Sequence, residues 1–403
     1  MSVAPPILDV FVVWHPDDAD GEELFVRLND HYHSPAFSGL AGGAVEVYSR
    51  SARWAPSNAP RPLGIAAEVA PNVASAQHNV IVLHVGVGLA RAVRDDPEWD
   101  AYVKDIVDLM NGEGVFILTV IQPEFDIART SLGDLVAGIQ SLPRESLNDA
   151  GILGREVSQA ITQWLTGQKR IQVFVSHTKH PSLVESETSE GAWIYERVRE
   201  TILGTRLEDF FDAQDIQSGT DWEDTLDSNA RESVLLMVRT DAYAGREWTQ
   251  REVLEAKQAD VPIICMYALT DGESRGSFLM DHVPSVPCDL LNPGPGITMA
   301  LNRLIDEALK HALWGAQRVY LEDDGFDWLP VHAPEPVTLT RWLSHHQVND
   351  PADCHVWIMH PDPPLGPQER ELVTQLCALA GFASSVDILT PRTFATRGGV
   401  LPS

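Results

Sequence analysis

Lysine and arginine are scarce. Together they number 29 against 58 aspartates and glutamates, for a formal net charge of −29 spread along 403 residues. Such a balance excludes phosphate-backbone binding and an anionic membrane surface as the main partner, because both require basic patches. Cysteine is nearly as rare. Cys265, Cys288, Cys354 and Cys377 form no C-x-x-C pair, and Cys265 sits inside an apolar run where a thiol behaves as a small hydrophobe. Zinc ribbons and disulfide scaffolds are thereby excluded, and a reducing cytoplasm is expected. No run approaches the ~18 apolar residues of a membrane span, and MSVAPPILDV lacks a basic segment leading into an apolar one, so neither a span nor export is expected. There is also no G-x-G-x-x-G after the first strand, no G-x-x-x-x-G-K-[ST] loop and no H-E-x-x-H, which disfavours a Rossmann dehydrogenase, a P-loop NTPase and a zinc enzyme.

Alternating strand and helix patterns fill most of the chain. Leu8–Val13, Val45–Tyr48, Asn79–Val85 and Val115–Ile121 read as strands, with helices at Trp99–Met110 and Leu153–Leu165. A second series follows: strands at Ile171–Ser176, Leu207–Phe211, Val234–Val238 and Pro262–Tyr267, then an amphipathic helix over Ile297–Leu313. Near-continuous Val, Ile, Leu and Met runs are those of strands buried on both faces, so the expected class is α/β with parallel sheets covered by helices. Residues 316–353, including LPVHAPEPV with its three prolines, read as an extended linker. The chain closes with a strand-helix-strand piece over residues 354–403, too short to enclose a core alone.

The densest signals run from Asp212 to Glu252. A loop marked by Asp212, Asp215 and Gly219 precedes a helix opened by Thr220, Asp221 and Trp222, with Leu226 and Ala230 on one face. The apolar strand Val234–Val238 follows, and Trp248 and Glu252 then stand four apart at a helix start, which puts indole and carboxylate on one face.

This ordered set resembles the TIR (Toll/interleukin-1 receptor) domain of the bacterial, NAD-cleaving kind. Val173–His177 look like that family's first strand and following loop, Asp212–Trp222 its BB loop, and Trp248 with Glu252 its W-x-x-x-E motif. The resemblance implies a flavodoxin-like domain over residues 168–315 that cleaves the nicotinamide-ribose bond, with NAD as substrate and no cofactor or metal. Glu252 would be catalytic. Ser176, His177, Phe211, Asp212, Gly219, Trp222 and Trp248 would line the substrate site. Self-association through TIR domains is implied, as is a role as an antiphage or signalling enzyme, and the alternative is a non-catalytic TIR adaptor. Because the nicotinamide leaves as a neutral molecule, no general acid is needed and a single carboxylate can suffice. Glu252 is expected at an exposed helix start, where its replacement barely affects stability.

Residues 1–167 repeat the order. VFVVWHP from Val10 resembles VFVSHTKHP from Val173, and PEWDAYVKD around Trp99 resembles REWTQREVLE around Trp248. That alignment puts Val103 opposite Glu252, so the first copy is expected to share the fold but not the chemistry. The terminal piece is similar to the start of a SLOG-type nucleotide-binding module.

Overall fold

The computed structural model describes residues 7–37, 45–65, 76–142, 149–178, 193–210, 233–273, 276–346, 355–382, 385–399 and 401. The chain divides into two units, Met1–Ile161 and Thr162–Ser403. Among the described residues no helix is long and apolar enough to cross a membrane.

The first unit holds five strands: β1 Leu8–Val13, β2 Val45–Arg50, β3 His78–Val85, β4 Val115–Ile121 and β5 Gln140–Ser141. They form one parallel sheet in the order β2-β1-β3-β4-β5, the flavodoxin-like winding. Its helices are α1 Asp20–Tyr32, α2 Val87–Asp95, α3 Pro97–Asp108, α4 Ser131–Val136 and α5 Ala150–Thr166. The helix expected from Trp99 starts two residues earlier, because the Asp96 carboxylate accepts from the Glu98 N–H at 2.9 Å and Pro97 takes the first helical position.

One pair in this sheet is electrostatically unfavourable. Asp9 of β1 and Glu46 of β2 are register partners. Burial, followed by the Glu46 charge, pushes the Asp9 carboxyl up to about 6 from an ordinary 3.8. Ionising Asp9 therefore costs the folded state more than the unfolded one. The penalty is absent below the unfolded value, builds as pH rises from about 4 to 6, and persists above. Asp9→Asn is expected to stabilise the first unit by about 1–2 kcal/mol at pH 7.5 and by almost nothing at pH 3.5. Thermal melts at the two pH values check it, and an equal shift at both would remove the carboxylate as the cause.

The second unit repeats the winding. Its strands are β6 Gln172–Ser176, β7 Glu208–Phe210, β8 Ser233–Arg239, β9 Ile263–Tyr267 and β10 Ser285–Pro287, parallel in the order β10-β9-β8-β6-β7. Counted from its own first strand, this is again 2-1-3-4-5. Helices α6 Ile194–Leu203, α7 Glu247–Gln258 and α8 Pro293–Leu321 cover it. The pleat of β8 sorts its side chains by alternation. Val234, Leu236 and Val238 join a core with Val198 and Ile202 of α6 and Leu301 and Leu304 of α8. Leu235 and Met237 join Phe174 and, from α7, Val253 and Ala256. Cys265 on β9 is fully buried in that second core, and burial pushes its thiol up to about 12.

The stretch expected to be an extended linker contains two helical segments. Helix α8 passes through Gly315 and ends at Leu321 rather than at Leu313. Glycine inside a helix costs only about 0.5–1 kcal/mol. Trp314 and Leu321, both buried against Leu329, Val331, Met359 and Phe394, offset that cost. Helix α9, Pro336–His345, begins at the last of the three prolines, which occupies the first turn where its missing N–H is no loss. The terminal piece comprises β11 His355–Met359, α10 Pro367–Leu379, β12 Ser385–Leu389 and α11 Pro391–Thr396, with the two strands parallel. It shares a core with its neighbours: Leu339 and Trp342 of α9 pack on Val356, Ile358, Val373 and Cys377.

Candidate active site

In open α/β sheets ligands bind beyond the carboxyl ends of the strands, where the winding reverses. In the second unit that point lies between β6 and β8. Strand β6 ends at Ser176, and the segment after β8 runs through Tyr243 into α7. The first turn of α7 fixes this segment. Thr249 Oγ1 donates to the carbonyls of Tyr243 at 2.7 Å and Arg246 at 3.1 Å, and Gln250 Nε2 donates to the Ala244 carbonyl at 2.7 Å.

The buried positions of α7 are Thr249, Glu252, Val253, Ala256 and Lys257, a stripe at i, i+3, i+4, i+7, i+8 spacing. Glu252 thus sits on the face that packs against the sheet. It is 4% exposed, and the expectation of an exposed helix-start glutamate is wrong. Two cationic side chains near it on α7 have carboxylate partners of their own. Arg251 binds Glu255 at 2.6 Å, and Lys257 binds Glu335 at 2.9 Å.

Glu252 Oε2 accepts a hydrogen bond from Ser176 Oγ, which is also bonded to the Tyr243 hydroxyl. Ser176 is 2% exposed and Tyr243 fully buried. Burial, and after it the Glu252 charge, raises Tyr243 well above the ordinary phenol range. The phenol is therefore neutral beside Glu252 and Ser176. Trp248 is half-buried against the core that holds Tyr243 and Phe174, with Arg251 over its ring at 6.0 Å. His177 stacks on Tyr195, with ring centroids 4.0 Å apart and planes 4° off parallel. The structure thus brings Ser176 and Glu252 together, with Trp248 on the same helix as Glu252 and His177 directly after β6. Phe211, Asp212, Gly219 and Trp222, with the rest of the expected loop and helix at 211–232, lie outside the described residues.

Two residues here escaped sequence reading. Tyr243 follows a strand in a polar segment, and a buried phenol needs a hydroxyl partner, but nothing local says which. Arg239, at the end of β8, is buried and clamps Glu273 through Nε at 2.8 Å and a terminal nitrogen at 2.6 Å. It also donates to the Tyr267 hydroxyl at 3.0 Å.

Among the described residues of the first unit, the corresponding positions carry no such cluster. Val13 and Val103, opposite Ser176 and Glu252 in the sequence alignment, are both fully buried in one apolar core with Trp99. At the carboxyl end of β3, the Gly86-Val87-Gly88 turn opens α2 with N–H groups able to receive an anion. An internal carboxylate takes them: Asp18 accepts from Gly88 at 2.6 Å and Leu89 at 2.8 Å. A Cβ on Gly86 would lie 2.6 Å from the Asp18 carboxyl, so the glycine is required by that insertion.

No protein-family model matches the chain, and none of the curated proteins matches it.

Proposed function

We propose that the second unit is a TIR-type NAD nucleosidase, releasing nicotinamide and ADP-ribose or a cyclic product. The observation that carries this is the placement of Glu252 at the switch point of a 2-1-3-4-5 sheet, hydrogen-bonded to the last residue of the first strand. A carboxylate there suits the one task left when the leaving group departs neutral: stabilising positive charge that develops on the ribose. Trp248 offers an aromatic plane for a base or nicotinamide ring. His177, with Phe211, Asp212, Gly219 and Trp222, completes the proposed substrate wall, and Ser176 contacts the nucleotide through its hydroxyl oxygen. The first unit serves as a packing or assembly partner, and the enzyme acts as an immune or signalling effector in the cytoplasm.

Burial of Glu252 sets a condition. At 4% exposure the carboxylate is closed to substrate in the single chain, so turnover requires a rearrangement that uncovers it. Self-association is the proposed trigger. Turnover per protomer in a fluorescent NAD-analogue assay is expected to rise with protein concentration, in step with assembly seen by sedimentation. Constant specific activity from a chain that stays monomeric would contradict this.

The second reading, a non-catalytic TIR adaptor, draws on the same burial: a carboxylate enclosed with two hydroxyls also serves to lock α7 onto the sheet. The two readings part on NAD turnover in the assembled state.

A further inference from the structure

We infer that Tyr243 is a positioning residue for Glu252, acting through Ser176, an inference that rests on the NAD-cleaving reading above. The direction of the hydrogen bonds follows from counting protons. Ser176 gives its single hydroxyl proton to Glu252 Oε2. With that proton committed, the Ser176 oxygen can only accept from its other partner, and Tyr243 is the donor. The result is a one-way chain, from phenol to serine to carboxylate, in which each bond polarises the next.

Each end of the chain has a firm mount. The Tyr243 ring packs in the core with Phe174, Met237 and Val253. Its backbone is held from both sides: the N–H donates to the Thr240 carbonyl at 2.9 Å, and the carbonyl accepts from Thr249 on the helix that carries Glu252. The phenol therefore reports the position of α7 to Ser176, on the strand across the switch point. Its raised ionisation range keeps it a donor throughout the neutral range. Serine alone is a rotor whose hydroxyl can turn to other acceptors. The phenol restricts it to the rotamer that bonds Glu252. At the corresponding positions of the first unit valines stand in place of both serine and glutamate.

Tyr243→Phe keeps the ring and removes only the hydroxyl. It is expected to lower kcat about 10- to 100-fold through loss of carboxylate alignment, while KM stays within about two-fold of wild type. Ser176→Ala breaks the same chain one step later and is expected to cost at least as much. Because the tyrosine acts only through the serine, the double variant should be no slower than Ser176→Ala alone. A simple loss of core packing would instead lower stability and add in the double variant. Wild-type kcat in Tyr243→Phe, or additive losses in the double variant, with Glu252→Gln inactive, would overturn the positioning role and leave the NAD-cleaving reading intact. A wild-type chain that releases no nicotinamide even when assembled would overturn both. Ser176→Ala supplies the comparison with Glu252→Gln if Tyr243→Phe fails to fold, and wild-type kcat in it then overturns the inference.

Discussion

Glu252→Gln is expected to lower NAD turnover by about 10²–10³, the usual effect of losing one preorganised electrostatic contact in a transition state. The substitution keeps size and helix propensity and removes the charge that would stabilise the ribosyl cation. Its effect on the fold differs from that of a surface change, because Glu252 lies on the buried stripe of α7. The glutamine carbonyl can still accept from Ser176, whereas its amide introduces donors where the carboxylate had none. A destabilisation of about 1–3 kcal/mol is expected, well short of unfolding. Turnover must therefore be compared at a temperature where both proteins are folded, with circular dichroism as the control. A Glu252→Gln protein with wild-type turnover would remove this residue from the chemistry.

The largest expected effect on stability is at Arg239. Its guanidinium is held above its ordinary ionisation range by the hydrogen-bonded Glu273 carboxylate and lies 5.1 Å over the Tyr267 ring. Side-chain exposure is 4% for Arg239 and 8% for Glu273. Arg239→Met would leave the Glu273 carboxylate buried without its bidentate partner, and breaking a buried pair in this way costs about 3–5 kcal/mol. At about 2–4 °C per kcal/mol for a unit of this size, the melting temperature should fall by roughly 10 °C. The double variant Arg239→Met with Glu273→Leu removes both charges and should recover most of the loss, since an apolar pair of similar volume can replace a buried ion pair. No recovery would place the contribution of Arg239 in its contacts with Tyr267 instead.

Local patterns made much of this fold legible. Val234–Val238 reads as a buried strand from its composition alone, and the Trp248–Glu252 spacing places both residues on one helix face. What escaped was set by distant partners. Helix α2 starts between two glycines, Gly86 and Gly88, and the carboxylate on its first turn is Asp18, some 70 residues earlier in the chain. A window around Gly86 therefore cannot see why a helix starts there. Helix α9 follows two prolines and starts on a third, a composition that opposes a helix interior yet suits a helix start. A charged residue is usually exposed, and the sequence around Glu252 does not show that Ser176, from another strand, bonds its carboxylate and is itself bonded to Tyr243.

Quantifying free nicotinamide by chromatography tests the central claim most directly. The full chain is concentrated until it sediments as assemblies, then incubated with NAD beside a Glu252→Gln control. One nicotinamide released for each NAD lost is expected in the wild type and almost none in the variant. Intact NAD in both samples, with assembly confirmed, would contradict it and leave the adaptor reading.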